Sequence, residues 1–317
     1  MSTKGENNMA HNVETMAYAG ELPWHGLGVA VDENLAPQEM LVAAGLDWSV
    51  EKQDLITASG IVVPGKKGLV RTSDNTLLDV VGTDWNPVQN NEAFDFFNEY
   101  VTAGDMEMHT AGSLRNGQIT WALAKTKESF ELFKGDVTEN YLLFTNPHKY
   151  GSSIDIRMTP IRVVCNNTLS FALDSVSNDM FRMSHKVRFD ADYVKEQMGI
   201  AREKLDAYKN VVQFIGSKRF TNESITNYFN DVFGKPSGQV LEFTSRNAQL
   251  AYDTLNTQPG AKYAEGTFWQ AFNTVTYLTD HVFGRNHATR LDSAWFGNKK
   301  NLKSKALNKA VEYAEAA

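Results

Sequence analysis

A single cysteine, Cys165, is all the thiol that 317 residues carry. One thiol excludes an internal disulfide framework and any cysteine-built zinc cluster, and it suits a reducing cytosol. There is also no apolar run of about 18 residues, the length that spans a bilayer. The opening MSTKGENNMAHNVETMAYAG has no apolar core of the kind a secretory signal needs. Signatures of common chemistry are missing as well. Gly234-Lys235-Pro236-Ser237 lacks the upstream glycine of a phosphate loop, and no G-x-G-x-x-G follows a strand pattern. Neither H-E-x-x-H nor G-x-S-x-G occurs. The seven histidines are scattered, and the nearest pair, His281 and His287, is six apart and off register for one helical face.

Positive charge is in short supply too. The chain has 31 Lys and Arg against 38 Asp and Glu, a net of −7, which at first argues against a polyanion as partner. The distribution alters that reading. Residues 1–110 hold 5 cations and 17 acids, a net of −12, and the remainder holds 26 and 21, a net of +5. An acidic first third leaves room for a basic face elsewhere, and a face steers a polyanion more than a total does.

What is present reads as two halves. Residues 1–10 are expected to be a disordered leader, residues 11–190 an α+β core and residues 191–317 a helical region. LAPQEMLVAAG (35–45) predicts a short helix with Pro37 in its first turn and Gly45 at its end. DLITASGIVVPG, KGLVRTS and TLLDVVG each alternate as strands do. WNPVQNNEAFDFFNEYVTAG predicts a helix capped by Asn90 or Asn91. DMEMHTAGSLRNGQITWALAKT predicts two strands around an Asn116-Gly117 turn, with NYLLFTN and SSIDIRMT as a third and fourth. The fold expected is therefore a twisted antiparallel meander with helices on one face, followed by a mostly helical C-terminal region. YVKEQMGIAREKLDAYKNVVQFIG, TNESITNYFNDVFG, TSRNAQLAYDTLN, GTFWQAFNTVTYLTDHVFG and NKKNLKSKALNKAVEYAEAA supply the helices. Thr221 and Ser224 are candidate caps, and Lys299 to Lys309 reads as a solvated helix face.

TPIRVVCNNTLSFAL (159–173) decides how the meander closes. Thr159 suits an N-cap and Pro160 a first turn, and Ile161, Val164, Cys165, Thr168, Leu169 and Ala172 recur at helical spacing. A helix follows from that pattern, with Cys165 on its buried stripe. Pairing Cys165 with His148 or His185 as a nucleophile is formally open, but a cysteine on an apolar stripe reads as core. PWHGLG (23–28) offers Trp24 and His25 for stacking or proton transfer, although a tryptophan docked over a sheet edge explains it more simply.

The segment from Asn146 to Arg188 holds the candidate binding chemistry. Lys149, Arg157, Arg162, Arg182, Lys186 and Arg188 are cations suited to phosphate, and Asn166 and Asn167 are neutral donors. Tyr150 is a candidate stacking platform, and the preceding hairpin adds Arg115, Lys125 and Lys127. A helix start at Pro160 would add free N–H groups for an anion. No metal or cofactor is called for.

Taken in order, MAYAGELPWHGLG, WNPVQNNEAF, TAGSLRNGQITWALAK, YLLFTNPHKYGSS, TPIRVVCNNTL and GTFWQAFNTVT resemble a phage- and plasmid-borne family catalogued as domain of unknown function 932. The resemblance implies a cytoplasmic protein acting in a bacterial host. A remoter resemblance, in an antiparallel meander followed by a helix with cations on both, is to phage single-strand annealing proteins of the RecT, Erf and Redβ kind. It implies a homo-oligomer that binds single-stranded DNA in recombination or replication. Two other readings stand beside it. One is an enzyme or binder acting on a nucleotide or small phosphorylated ligand, with His148 or His25 moving the proton. The other is a structural or host-modulating phage protein.

Overall fold

A computed structural model describes residues 13–20, 27–162, 167–168, 181–185, 190, 206–234, 242–284 and 298–317. The leader, Trp24, His25, Cys165, Asn166, Lys186 and Arg188 lie outside those residues.

An eight-stranded sheet organises the first half. β1 (Val13–Ala19) and β2 (Val29–Val31) run parallel to one another at one edge. Next come β6 (Met106–Leu114), β7 (Ile119–Glu131), β8 (Val137–Pro147) and β9 (Ile154–Arg162), each antiparallel to its chain neighbour. This is the expected meander. β10 (Asn167–Thr168) and β11 (Phe181–Met183) both pair with β9. A separate three-stranded sheet holds β3 (Val50–Ile56), β4 (Val62–Arg71) and β5 (Leu77–Gly82).

The two-residue alternation of strands sorts the large sheet into two buried faces. Ala111, Ala122, Ala124, Leu142, Phe144, Ile156 and Met158 point one way. They meet α1 (Pro37–Ala43), α2 (Asn90–Asp95), α3 (Asn98–Thr102) and the small sheet. Alanines are needed there because the Phe96 and Phe97 rings come down onto Phe144, at centroid distances of 5.8 and 6.0 Å. Met16, Leu114, Trp121, Leu123, Tyr141 and Leu143 form a cluster on the opposite face.

Gly112 sits opposite Met16 where β6 meets β1. A Cβ on Gly112 would collide with the Thr15 carbonyl oxygen, a backbone atom that cannot swing aside. Gly112→Ala is therefore expected to cost about 1–3 kcal/mol as forced overpacking, read as a lower midpoint in urea at unchanged slope. An unchanged midpoint would mean that β1 yields freely.

The small elements follow their local chemistry. α1 has Pro37 in its first turn and is followed by Gly45 at φ 67°, as the sequence predicts. The Asn116-Gly117 turn exists, with Arg115, Asn116 and Gly117 at φ 54°, 57° and 84°. DLITASGIVVPG is not one strand. It ends β3 and begins β4, with Gly60 at φ 81° in the turn between, because only glycine takes that conformation cheaply. The helix expected after Trp85 is capped by Gln89 rather than by either asparagine, and it breaks into α2 and α3. Asn90 is instead committed to the core, where its amide donates to the carbonyls of Leu46 and Trp48.

The largest correction concerns Thr159 and Pro160. Both lie inside β9, paired with Tyr141 and Asn140 of β8. Proline is tolerated because β11 flanks β9 only at 154–156 and β10 only at 161–162, so no described strand needs an N–H from Pro160 on that side. The anion site imagined at a helix start does not exist there.

Among the described residues of the second half, helices dominate. They are α4 (206–217), α5 (Asn222–Phe233), α6 (Arg246–Thr254), α7 (Phe268–Tyr277) and α8 (Asn298–Glu315). The Thr221 hydroxyl accepts from the Ser224 N–H as the expected cap, and Gly234 ends α5. Their core takes in Phe130, Leu132 and Phe133 from the tip of the β7–β8 hairpin. Trp269 Nε1 donates to Asp136 Oδ2 at 3.0 Å, pinning that tip to α7. α8 is not simply a solvated basic face: Lys303 is fully buried and bonds Asp280 Oδ1 at 2.9 Å. Among the described residues, no helix is long and apolar enough to cross a membrane.

Candidate nucleic-acid interface

The strand register divides the candidate residues into groups. Pairing of Ile119 with Pro147 puts the β6–β7 turn and the β8–β9 turn at the same end of the sheet. Arg115 is in the first turn, and Lys149 and Tyr150 are in the second. Lys127 lies eight residues along β7 from Ile119, roughly 26 Å away at the rise of a strand. Arg162 pairs with Thr138 and Asn167, toward that far end. One bound strand would have to run the length of the sheet to touch both groups.

In the far group Lys125 is occupied by an acid. Lys125 Nζ bonds Glu139 Oε1 at 2.7 Å, and Tyr141 donates its hydroxyl to Glu139 Oε2 at 2.7 Å. His109 packs edge-on to Tyr141 at 5.0 Å. Burial, then the charge of Lys125, lower the His109 pKa to about 4, while Glu139 opposes the shift. Lys127 is exposed. Arg157, in mid-sheet, is nearly buried and ion-paired to Asp155 at 3.2 Å. Arg182 stands opposite Asp155 in the register of β11 and β9.

The near group is built differently. Tyr150 is 65% exposed, the highest value for any large apolar side chain among the described residues. Its backbone N–H is held by Asp79 Oδ2 at 2.8 Å, and Gly151 at φ 74° turns the chain after it. Lys66 of β4 places its Nζ 5.9 Å from the Tyr150 ring centroid, within range of a cation–π contact. Lys149 is adjacent and half-buried. The small sheet therefore props the β8–β9 turn. It does the same for the β6–β7 turn, where Gln118 Nε2 donates to the Leu78 carbonyl at 2.7 Å. Lys66 was not among the sequence candidates, because only the pairing of the two sheets brings it to Tyr150.

Just behind this end lies a buried polar cluster that sequence reasoning did not assemble. His148 Nε2 meets Asn90 Oδ1 at 3.0 Å, and Thr120 donates its hydroxyl to the same oxygen at 3.0 Å. Asn146 Nδ2 donates to the Val88 carbonyl at 2.8 Å. His185 stacks on Trp85 at 4.1 Å and sets its Nδ1 3.3 Å from the Asn86 carbonyl. Burial, with His185 nearby, lowers the His148 pKa to about 3, and burial lowers that of His185 to about 4. Among the described residues, no three His, Cys, Asp or Glu side chains group as metal ligands.

The family model described as a domain of unknown function (DUF932) matches residues 77–295, which include β5 to β11 and the helices α2 to α7. Neither a curated protein nor a solved structure matches the chain.

Proposed function

The chain belongs to the DUF932 family, and from that premise we propose that it binds single-stranded DNA, as a phage or mobile-element protein acting in recombination or replication. The observation that carries this reading is the platform at Tyr150. An aromatic ring, 65% exposed, stands on a braced turn with Lys66 at 5.9 Å and Lys149 beside it. Stacking on an aromatic ring is sequence-tolerant, since every base has a π-face, and nearby cations take the backbone. Arg115, in the turn at the same end, extends the track.

Support for an annealing role is architectural. The four-strand antiparallel meander on which the resemblance to phage annealing proteins partly rests is present, while the helix start expected at Thr159–Pro160 is strand β9. On this reading the protein assembles as a homo-oligomer in the cytoplasm of the host, placing platforms in a row along one strand. Arg157 and Lys125 are then structural, being committed to Asp155 and Glu139.

Fluorescence anisotropy with a labelled oligo-dT tests the reading. Tyr150→Ala is expected to weaken binding by roughly 5- to 150-fold, the value of about 1–3 kcal/mol for one stacked base. Lys66→Ala with Lys149→Ala is expected to lower the slope of log K against log salt by about 1.4, at about 0.7 per contact on a single strand. Lys125→Ala is expected to leave affinity unchanged. Equal affinity in wild type and Tyr150→Ala would remove the platform, and absence of binding at low salt would remove the proposal.

A further inference from the structure

The cluster behind the platform has an unusual hydrogen-bond balance. Asn90 Nδ2 donates to two backbone carbonyls, so Asn90 Oδ1 is fixed as an acceptor. His148 Nε2, at 3.0 Å from that oxygen, must therefore carry the ring proton, and Nδ1 is left as a bare lone pair. His185 follows the same logic. Its Nδ1 faces the Asn86 carbonyl, which can only accept, so the lone pair is on Nε2. Asn146 uses its Nδ2 on the Val88 carbonyl and turns its Oδ1 elsewhere.

All three atoms, His148 Nδ1, His185 Nε2 and Asn146 Oδ1, are buried without a hydrogen-bond partner. Their residues are 0%, 1% and 1% exposed. They belong to one neighbourhood: Asn146 and His148 flank Pro147 at the end of β8, and the Pro147 carbonyl is a hydrogen-bond neighbour of His185. Three buried acceptors in one neighbourhood, with no donor turned toward them, are costly for a folded protein. A cation held among them would offset that cost.

We propose that His148 Nδ1, His185 Nε2 and Asn146 Oδ1 form a binding site for a late first-row divalent metal ion of the zinc class. Two imidazoles and one amide oxygen suit zinc, cobalt, nickel or copper better than magnesium or calcium, which prefer oxygen. The far side of each imidazole is already bonded, His148 to Asn90 and His185 to the Asn86 carbonyl, and this outer layer fixes tautomer and ring orientation as it does in metal proteins. The fourth position would be a water. Trp85 stacked on His185 and Trp48 at 5.4 Å from His148 wall the site with indole. The site is distinct from the platform at Tyr150 and does not depend on nucleic-acid binding.

All three donors are neutral, so the ion's charge is uncompensated, and a carboxylate in place of the amide should bind it more tightly. The test uses untagged full-length protein stripped with a chelator and titrated with Co²⁺, reading visible d–d absorption and tryptophan fluorescence. Expected are one equivalent bound, quenching of the neighbouring indoles, and displacement of the cobalt bands by Zn²⁺. His185→Gln should abolish the bands, and His109→Gln, on the other face of the sheet, should leave them unchanged. Asn146→Asp, of the same shape, should tighten binding by tenfold or more. If His185→Gln fails to fold, the Asn146→Asp comparison decides alone. No cobalt bands at millimolar metal, or equal affinity in wild type and Asn146→Asp, would overturn the site and leave ordered water as the partner of the three atoms.

Discussion

Asp280→Ala is expected to lower stability by about 3–5 kcal/mol, the cost of stranding one charge of a buried pair. Asp280 and Lys303 are 2% and 0% exposed and bonded at 2.9 Å. The pair sits where α7 loosens into a single π turn at Leu278–Val282, which carries Asp280 into the helical core. Asp280 itself accepts the Lys303 ammonium from α8, tying α8 to the end of α7. At roughly 2–4 °C per kcal/mol for a domain of 150–250 residues, the thermal midpoint should fall by about 6–20 °C. The double replacement Asp280→Leu with Lys303→Met is expected to recover most of that loss, since a buried pair replaced by apolar groups is often neutral. Calorimetry on the two variants checks both. A shift under about 1 kcal/mol for Asp280→Ala would show that water reaches the pair.

Lys303 also marks the limit of reading this chain by residue type. Lys303, Leu307, Ala310 and Ala314 are all buried and recur at helical spacing, so the stripe of α8 is present in the sequence. A lysine at its head disguises it, and its partner Asp280 is 23 residues away. Local chemistry was far more legible. The Asn116-Gly117 turn, Pro37 in the first turn of α1 and the Thr221 cap each depend on residues within a few positions, and each is where the sequence puts it. Thr159–Pro160 shows the opposite case. Its apolar spacing fits a helix, and only pairing with Asn140 and Tyr141 across β8 makes it a strand. The candidate site divides in the same way. Tyr150 was legible as an aromatic in a basic turn. Lys66, 84 residues earlier, and the Asn90–His148 bond, spanning 58 positions, exist only in the fold.

His109 gives the chain an acid-sensitive point in the meander itself. Its side chain is half-buried, with Nδ1 shut off from solvent, beside Lys125 on β7 and beside Glu139 and Tyr141 on β8, and its pKa falls to about 4 in the folded state against an ordinary 6.5. A histidine whose folded pKa is lowered favours the folded state when neutral. Its contribution is complete above pH 6.5 and is lost as pH falls toward 4, because the unfolded chain takes up the proton first. At about 1.4 kcal/mol per unit, the loss approaches 3 kcal/mol by pH 4, a large share of the 5–15 kcal/mol typical of a domain. Urea titrations between pH 7 and pH 4.5 are expected to show stability falling more steeply in wild type than in His109→Gln, the difference approaching one proton. Burial alone raises the Glu139 pKa, and the hydrogen bonds from Lys125 and Tyr141 with the charges of Lys125 and His109 lower it, so the comparison reads His109 together with its coupling to Glu139. Parallel pH profiles would mean that solvent reaches the ring. The steeper profile would show that Lys125 and Glu139 close over a dry imidazole, so that Lys125 serves the interior of the sheet.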